Sequence, residues 1–260
     1  TGACTCALGY SGAACTACGA GYHDGGDAAC VLVGQCSATF HNGGDGTCVA
    51  QNNCVNGYAL DFGGVCVVDP AGNGLDGIVH LTGATNISTQ NTVPGRVCAD
   101  GGDAVSYQVV GLTATAATLS TAPGTGCLVP GDEILIINLQ GTSLGSANTG
   151  HWETFRVAAV AGSAVQLVAA KTVAFGQTAA MDDAIGIGAN DQKVVLQRVP
   201  NYAALVLDLG ATLTASAWDG KAGGILFFRV QDTLLDDGSI SMVGKGFRGG
   251  IADVAAPEGK

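Results

Sequence analysis

The sequence predicts an all-β chain: small disulfide-rich repeats, then an antiparallel β-sandwich or barrel, leading into a parallel β-solenoid. Three observations carry this. Two interleaved series of cysteines, Cys18/Cys36/Cys54 and Cys30/Cys48/Cys66, each advance by 18 residues. Beyond them, short Val/Ile/Thr-enriched runs alternate with glycine-rich turns, which is the signature of strands rather than helices. Near the C-terminus a turn-then-strand phrase recurs about 27 residues on, in Leu-Gly-Ala-Thr-Leu213 and Asp-Gly-Ser-Ile240. The expected divisions are 1–68, 75–190 and 191–260.

The cysteine units read CGAGYHDGGDAAC, CSATFHNGGDGTC and CVNGYALDFGGVC. Each offers few apolar residues to bury, with one aromatic in the first two units and two in the third, so none can build a core, and covalent staples must replace it. Pairing the two cysteines within a unit is economical, because the glycine-rich stretch between them can turn back. On the chain-entropy model each such closure removes about 3 kcal/mol of unfolded-state entropy. Zinc fits poorly, since the cysteine spacings of these units do not supply the close Cys-x-x-Cys or Cys/His sets of zinc sites, and His23 and His41 have Ala59 in the third equivalent place. Disulfides imply an oxidising compartment, so a secreted or cell-surface location is expected. Asp24, Asp27, Asp45 and Asp61 in these loops could ligate calcium. The plainer reading is that Asp beside Gly forms turns.

Upstream, Cys4-Thr-Cys6-Ala-Leu-Gly9-Tyr10-Ser-Gly12-Ala-Ala-Cys15 resembles the C-terminal half of an epidermal-growth-factor-like (EGF-like) module. In that family the last two cysteines pair, which implies Cys6 with Cys15. Cys4 would then need an upstream partner, or be a free or interchain thiol. The 18-residue units look like stripped-down relatives of the same module, of the sort used as spacers on surface proteins. Because the chain opens inside a cysteine motif, a piece of a longer polypeptide is expected.

Composition narrows the partners. The 260 residues include 42 glycines and 12% charged residues, with a formal net charge of −11. All ten basic residues lie at or beyond Arg96. Nucleic acid is excluded as a partner, since its binding rests on cations meeting phosphates. An anionic membrane surface is disfavoured for the same reason. Cations, neutral glycans, other surface proteins and self-association remain. The densest apolar run, Ile134–Leu139, is of strand length, so no transmembrane segment is expected.

Asp69-Pro-Ala-Gly-Asn-Gly74 reads as a linker. After it, expected strands of the sandwich or barrel are Ile78–Thr82, Val105–Val110, Thr113–Leu119, Glu133–Leu139, Glu153–Val160 and Val165–Ala169, with a hairpin turn at Gly162-Ser163. Cys98 and Cys127 are expected to clamp a long excursion. From Lys193 the expected strands, Val194–Val199, Ala204–Asp208, Ala211–Ala215, Gly224–Val230 and Gly238–Val243, are assigned to solenoid coils, each covering its neighbour's apolar face.

The run Trp218–Val230 through Gly238-Ser-Ile-Ser-Met-Val-Gly-Lys-Gly-Phe-Arg-Gly-Gly250 is similar to a phrase in large secreted bacterial surface proteins, adhesin-like and gliding-motility-associated ones among them. The likeness covers 75–250 loosely. It implies an extracellular structural or adhesive role and carries over no catalytic residue. Low charge and glycine-punctuated strands suit edge-to-edge or end-to-end contact, so assembly into a filament is one expected form of that role.

Motifs with catalytic overtones read as structure. Gly141-Thr-Ser143-Leu-Gly145 has the nucleophile-elbow pattern, yet no acid lies between Ser143 and His151, the one later histidine, and no helix follows. Gly244-Lys-Gly246-Phe-Arg-Gly249 has the dinucleotide pattern without a βαβ setting. A glycan lyase or hydrolase is the enzymatic alternative, drawing on Asp182-Asp183, Asp191, Asp232 and Asp236-Asp237 with Arg229, Lys245 and Arg248. Acidic pairs in loops are usually solvated turns, and a non-enzyme is expected. Asn86-Ile-Ser88 fits the N-glycosylation sequon. Trp152 and Trp218 could stack on a sugar or anchor a core.

Overall fold

The structure is a computed structural model that describes residues 10–11, 17–18, 22–24, 29–32, 36–37, 40–42, 47–50, 53–55, 58–60 and 66–247. The chain divides into two compact units, Thr1–Gly74 and Leu75–Lys260. Among the described residues every regular element is a strand, some paired parallel and some antiparallel.

The described residues of the first unit pair as antiparallel hairpins. β1 (Tyr10–Ser11) pairs with β2 (Ala17–Cys18), β3 (Tyr22–Asp24) with β4 (Cys30–Leu32), β5 (Phe40–Asn42) with β6 (Cys48–Ala50), and β7 (Tyr58–Leu60) with β8 (Cys66–Val68). The 18-residue step of the sequence is also a step in register: Asp24↔Cys30, Asn42↔Cys48 and Leu60↔Cys66 occupy the same rung of successive hairpins. Disulfides join Cys18 to Cys30, Cys36 to Cys48 and Cys54 to Cys66. Each therefore ties the residue four before a hairpin's aromatic to the first residue of its return strand. A two-stranded hairpin is marginal alone in water, and the staple supplies what three residues per strand cannot.

The second unit combines stacked coils with a barrel. β9 (Ile78–Leu81) and β10 (Ala84–Asn86) form one coil, β17 (Asn201–Leu207) and β18 (Thr212–Thr214) the next, and β19 (Arg229–Asp236) and β20 (Ser239–Ile240) a third. They stack as two parallel sheets, β9-β17-β19 and β10-β18-β20. The repeat of about 27 residues is the register itself, Thr212↔Ser239 and Leu213↔Ile240. Between the sheets lie Val79, Leu81, Ile87, Tyr202, Leu205, Leu207 and Leu213, all buried. The coil corner at Gly238 admits no side chain, because a Cβ there would meet Ala211 O at 2.4 Å.

Between the first and second coils the chain makes a six-stranded closed antiparallel barrel. Its strands are β11 (Ser106–Leu112), β12 (Ala116–Leu119), β13 (Glu133–Gln140), β14 (Trp152–Ala161), β15 (Ala164–Leu167) and β16 (Lys193–Val199), in the order β11-β12-β15-β14-β13-β16. The β14–β15 hairpin turns at Gly162-Ser163, with Gly162 at φ 58°. Ile134, Ile136, Phe155, Val165, Phe175 and Leu196 fill the interior. The buried Cys98–Cys127 disulfide belongs to the same cluster.

Two strands have other partners than the sequence reading gives them. Ile78–Leu81, assigned there to the sandwich, pairs parallel with β17. Val194–Val199, assigned to a coil, closes the barrel between β11 and β13. Short apolar runs look alike whichever sheet takes them. β16 is buried on both faces, Val194 and Leu196 inward and Val195 and Val199 outward, and this accounts for apolar residues at both alternations of a strand that also buries Gln197 and Arg198.

The expected strand Gly224–Val230 is ladder-paired only from Arg229 onward. Before that it runs between two cores with alternating side chains. Ile225 and Phe227 pack on the barrel's outer face with Leu135, Leu139, Val195 and Val199, while Leu226, Phe228 and Val230 pack on the coil core. The period of two survives because the segment is buried from both sides.

Candidate functional site

Barrel and coils meet at a buried charge network. Arg198 on β16 donates to Asp132 (Nε–Oδ1 3.2 Å), Asp76 (2.5 Å) and the Asp103 carbonyl (3.0 Å). Asp132 also takes Arg96 at 2.9 and 2.6 Å, and Arg96 reaches the Cys127 carbonyl. On the neighbouring rung Glu133, 1% exposed, receives Arg229 Nε at 2.8 and 2.9 Å, Arg156 at 3.7 Å and Asn201 Nδ2 at 3.0 Å. These charges are buried, so only mutual pairing offsets their desolvation. The network fixes barrel to coils rather than facing a ligand.

Beside this junction a cleft of about 160 Å³ opens where the ends of β10 and β18 approach the start of β11. Ser88, Asp100, Ser106, Ser216 and Asp219 give it its polar atoms, and Gly223 shapes its wall. At Gly223 (φ 87°) a Cβ would meet Ala217 O at 2.3 Å, so the chain there must be glycine. Asp219 Oδ1 accepts the backbone N–H groups of Lys221 and Ala222 at 2.7 and 2.8 Å. Asp100 Oδ2 accepts from Tyr107 Oη at 2.8 Å and Gly124 N at 2.5 Å. Burial, and then the Asp100 carboxylate beside it, push the Tyr107 phenol well up, which keeps it a donor.

The residues singled out in the sequence fall elsewhere. Asp24 is exposed on β3, while Cys4, Cys6, Cys15, Asp27, Asp45 and Asp61 lie outside the described residues. Among the described residues no group of three His, Cys, Asp or Glu is placed to hold a metal ion. Residues 142–145 close on themselves through reciprocal Thr142/Gly145 backbone bonds, and His151 Nδ1 donates to Ala174 O. Lys245 turns inward onto Thr214 Oγ1 and Ala215 O at 2.7 and 2.9 Å. Asp182 pairs with Lys171, Asp183 caps Thr178, and Asp191 takes the Gly188 N–H. These carboxylates are turn builders. Backbone hydrogen bonding from Thr178, the largest cause, holds Asp183 below the usual carboxylate range.

Trp152, 56% exposed, leans on Phe227 at 6.1 Å, and Arg229 lies over the Phe227 ring at 5.4 Å. Trp218 meets Phe247 edge-on at 5.9 Å. Asn86 Nδ2 donates to Ser216 Oγ and Asn86 Oδ1 accepts Ser88 N, so the sequon side chain helps build the cleft. Sequence reading missed the cleft because its residues come from four separated stretches. The one local signal was the serine and aspartate content flanking otherwise apolar coil ends.

No family model matches the chain, and no curated protein does. Among solved structures it is similar to three phage tailspikes. The tailspike of Pseudomonas phage phi297 is 17% identical, with a TM-score of 0.25 over 63% of this chain and 26% of that one. The tailspike of Pseudomonas phage LKA1 is 15% identical, with a TM-score of 0.23 over 57% and 29%. The tailspike of Acinetobacter baumannii bacteriophage AP22, in complex with A. baumannii capsular saccharide, is 12% identical, with a TM-score of 0.25 over 63% and 27%. The chain thus spans less than a third of the length of the structures it matches.

Proposed function

We propose that this chain is a segment of an extracellular surface protein with a structural or adhesive, non-catalytic role, in which its coils stack against further β-structure, other copies included. The third coil carries this reading. Among the described residues β19 is an edge strand, and Leu234, Leu235 and Ile240 are 47%, 48% and 37% exposed. Their register partners in the coil beneath include Leu205 and Leu213, each fully buried. An open parallel edge with exposed apolar side chains is a template for pairing, and a partner strand has to meet the exposed Asp232 and Asp236 that the same edge carries. The disulfides agree with an oxidising, extracellular setting. Sedimentation velocity tests the reading: association that grows with concentration is expected, and Leu235→Lys with Ile240→Lys should abolish it. Unchanged association in that variant would remove edge stacking as the mechanism.

A second reading, a glycan-binding module, is favoured by the junction cleft, whose lining is oxygen-rich and holds no cation. A lyase or hydrolase on the same coils would shorten a soluble polysaccharide. Size-exclusion chromatography of polysaccharide incubated with the protein is expected to show no shortening.

A further inference from the structure

We propose that the junction cleft binds a neutral sugar residue of an extracellular glycan, an inference that rests on the second reading above and gives it a place and a ligand class.

Both carboxylates are anchored by one oxygen and take no protein donor at the other among the described residues; Asp100 Oδ1 lies against Gly124, where a Cβ would meet it at 2.4 Å, so Asp219 supplies the main acceptor. Asp219 Oδ1 and Asp100 Oδ2 each hold two donors from the protein, whereas Asp219 Oδ2 and Asp100 Oδ1 receive none among the described residues. Two hydroxyls offer the opposite. Ser88 Oγ accepts from Ser216 N at 3.1 Å and Ser216 Oγ accepts from Asn86 Nδ2 at 3.2 Å, so the proton of each hydroxyl stays available to a ligand. Ser106 adds an adaptable group. Its Oγ lies 3.1 Å from Oε1 of the wholly buried Gln197, whose Nε2 has no partner. Ser106 and Gln197 are register partners on the barrel's outer face. With the amide as placed, Ser106 donates inward and can accept from a ligand; with the amide turned over, Nε2 donates to Ser106 and the hydroxyl proton points to the ligand.

Fixed acceptors beside free hydroxyl protons match a polyol, in which every hydroxyl both donates and accepts. They match a bare cation less well, since a cation has no use for the donors. An anionic sugar or phosphate would face two carboxylates with no Lys or Arg in the lining, and that opposition selects against it. An apolar ligand would desolvate the carboxylates without pairing them. Drug-sized ligands need roughly 300–1,000 Å³. The cleft's 160 Å³ suits one ring, with its open mouth letting a longer chain lead away.

The test is saturation-transfer-difference NMR on the intact, disulfide-bonded chain with glucose, galactose, mannose, N-acetylglucosamine and glucuronate in turn, and a titration with calcium alone. Transfer to at least one neutral sugar, and less to glucuronate, is expected. Asp219→Asn retains an oxygen for the Lys221/Ala222 turn while replacing the open one, and Ser88→Ala removes a donor. Each should weaken the neutral sugar about tenfold, the effect of losing a hydrogen bond that a ligand needs, with the unfolding temperature unchanged. Equal affinity in the variants would overturn the site and leave glycan binding standing elsewhere on the chain. No transfer to any neutral sugar would overturn the site and the second reading together. Saturable calcium binding lost in Asp219→Asn, with no sugar bound, would make the cleft a cation site instead.

Discussion

Arg198 interrupts an apolar run and still ends up 3% exposed, because it is the one side chain on β16 that reaches both Asp132 and Asp76. Truncating it leaves two buried carboxylates without their shared cation, and breaking a buried pair from one side costs about 3–5 kcal/mol. Arg198→Met should therefore lower the urea midpoint steeply, whereas Arg198→Lys, which keeps the charge but not the fork, should recover only part of it. Tyr202 gives a pH signature. Burial, then the Asp103 charge, push its phenol far above the ordinary value of 10.0. The folded state holds this proton more tightly than the unfolded chain, so the contribution is complete below pH 10 and is lost as pH rises through the folded value. Unfolding free energy should fall above pH 10 by up to about 1.4 kcal/mol per pH unit from this residue, and Tyr202→Phe should flatten that fall. Urea titrations between pH 8 and 11.5 would show both. Glu133 opens one apolar run and Arg198 interrupts another, but their partners lie up to 122 positions away, beyond what spacing can supply.

Elements defined by covalent or register repeats were legible; elements defined by which sheet captures them were not. The 18-residue ladder announces its hairpins because a staple and a turn recur together, and the 27-residue phrase announces β18 and β20 because stacking coils must keep length. β9 and β16 each read correctly as strands and carried no mark of their partner. Segment 225–230 kept a strand's alternation while lying between two cores, so its pattern recorded burial on both sides rather than a ladder. The cleft was still less legible, since it exists only where four chain stretches converge. Gly238 tests the coil stack at this scale. Gly238→Ala drives a methyl into Ala211 O, and the backbone has to move, at about 1–3 kcal/mol for overpacking of this kind. Hydrogen exchange should quicken at Ser239 and Ser241, whose amides bond to Ala211 O and Leu213 O, while amides of β13 stay protected.

The molecule holds its two units by different physics, and reduction should separate them. Residues 1–74 carry the ladder, where Cys18, Cys30, Cys36, Cys54 and Cys66 are half-buried and each hairpin strand is two or three residues long. The staples offset the chain entropy there at about 3 kcal/mol per closure, beside the few ladder bonds that such short strands make. In residues 75–260 the disulfide Cys98–Cys127 is 4% and 0% exposed inside an apolar cluster that a closed barrel already supplies. A mild thiol reductant attacks exposed sulfur first. Brief treatment with dithiothreitol under native conditions, followed by limited proteolysis and mass spectrometry, should therefore remove the first unit and leave a resistant core beginning near Leu75 with Cys98 and Cys127 still oxidised. Cys54→Ser with Cys66→Ser should make the third hairpin protease-sensitive without altering the core's unfolding temperature. A core that unravels together with the ladder would mean that the coils depend on the hairpins, and the two units would then be one cooperative body.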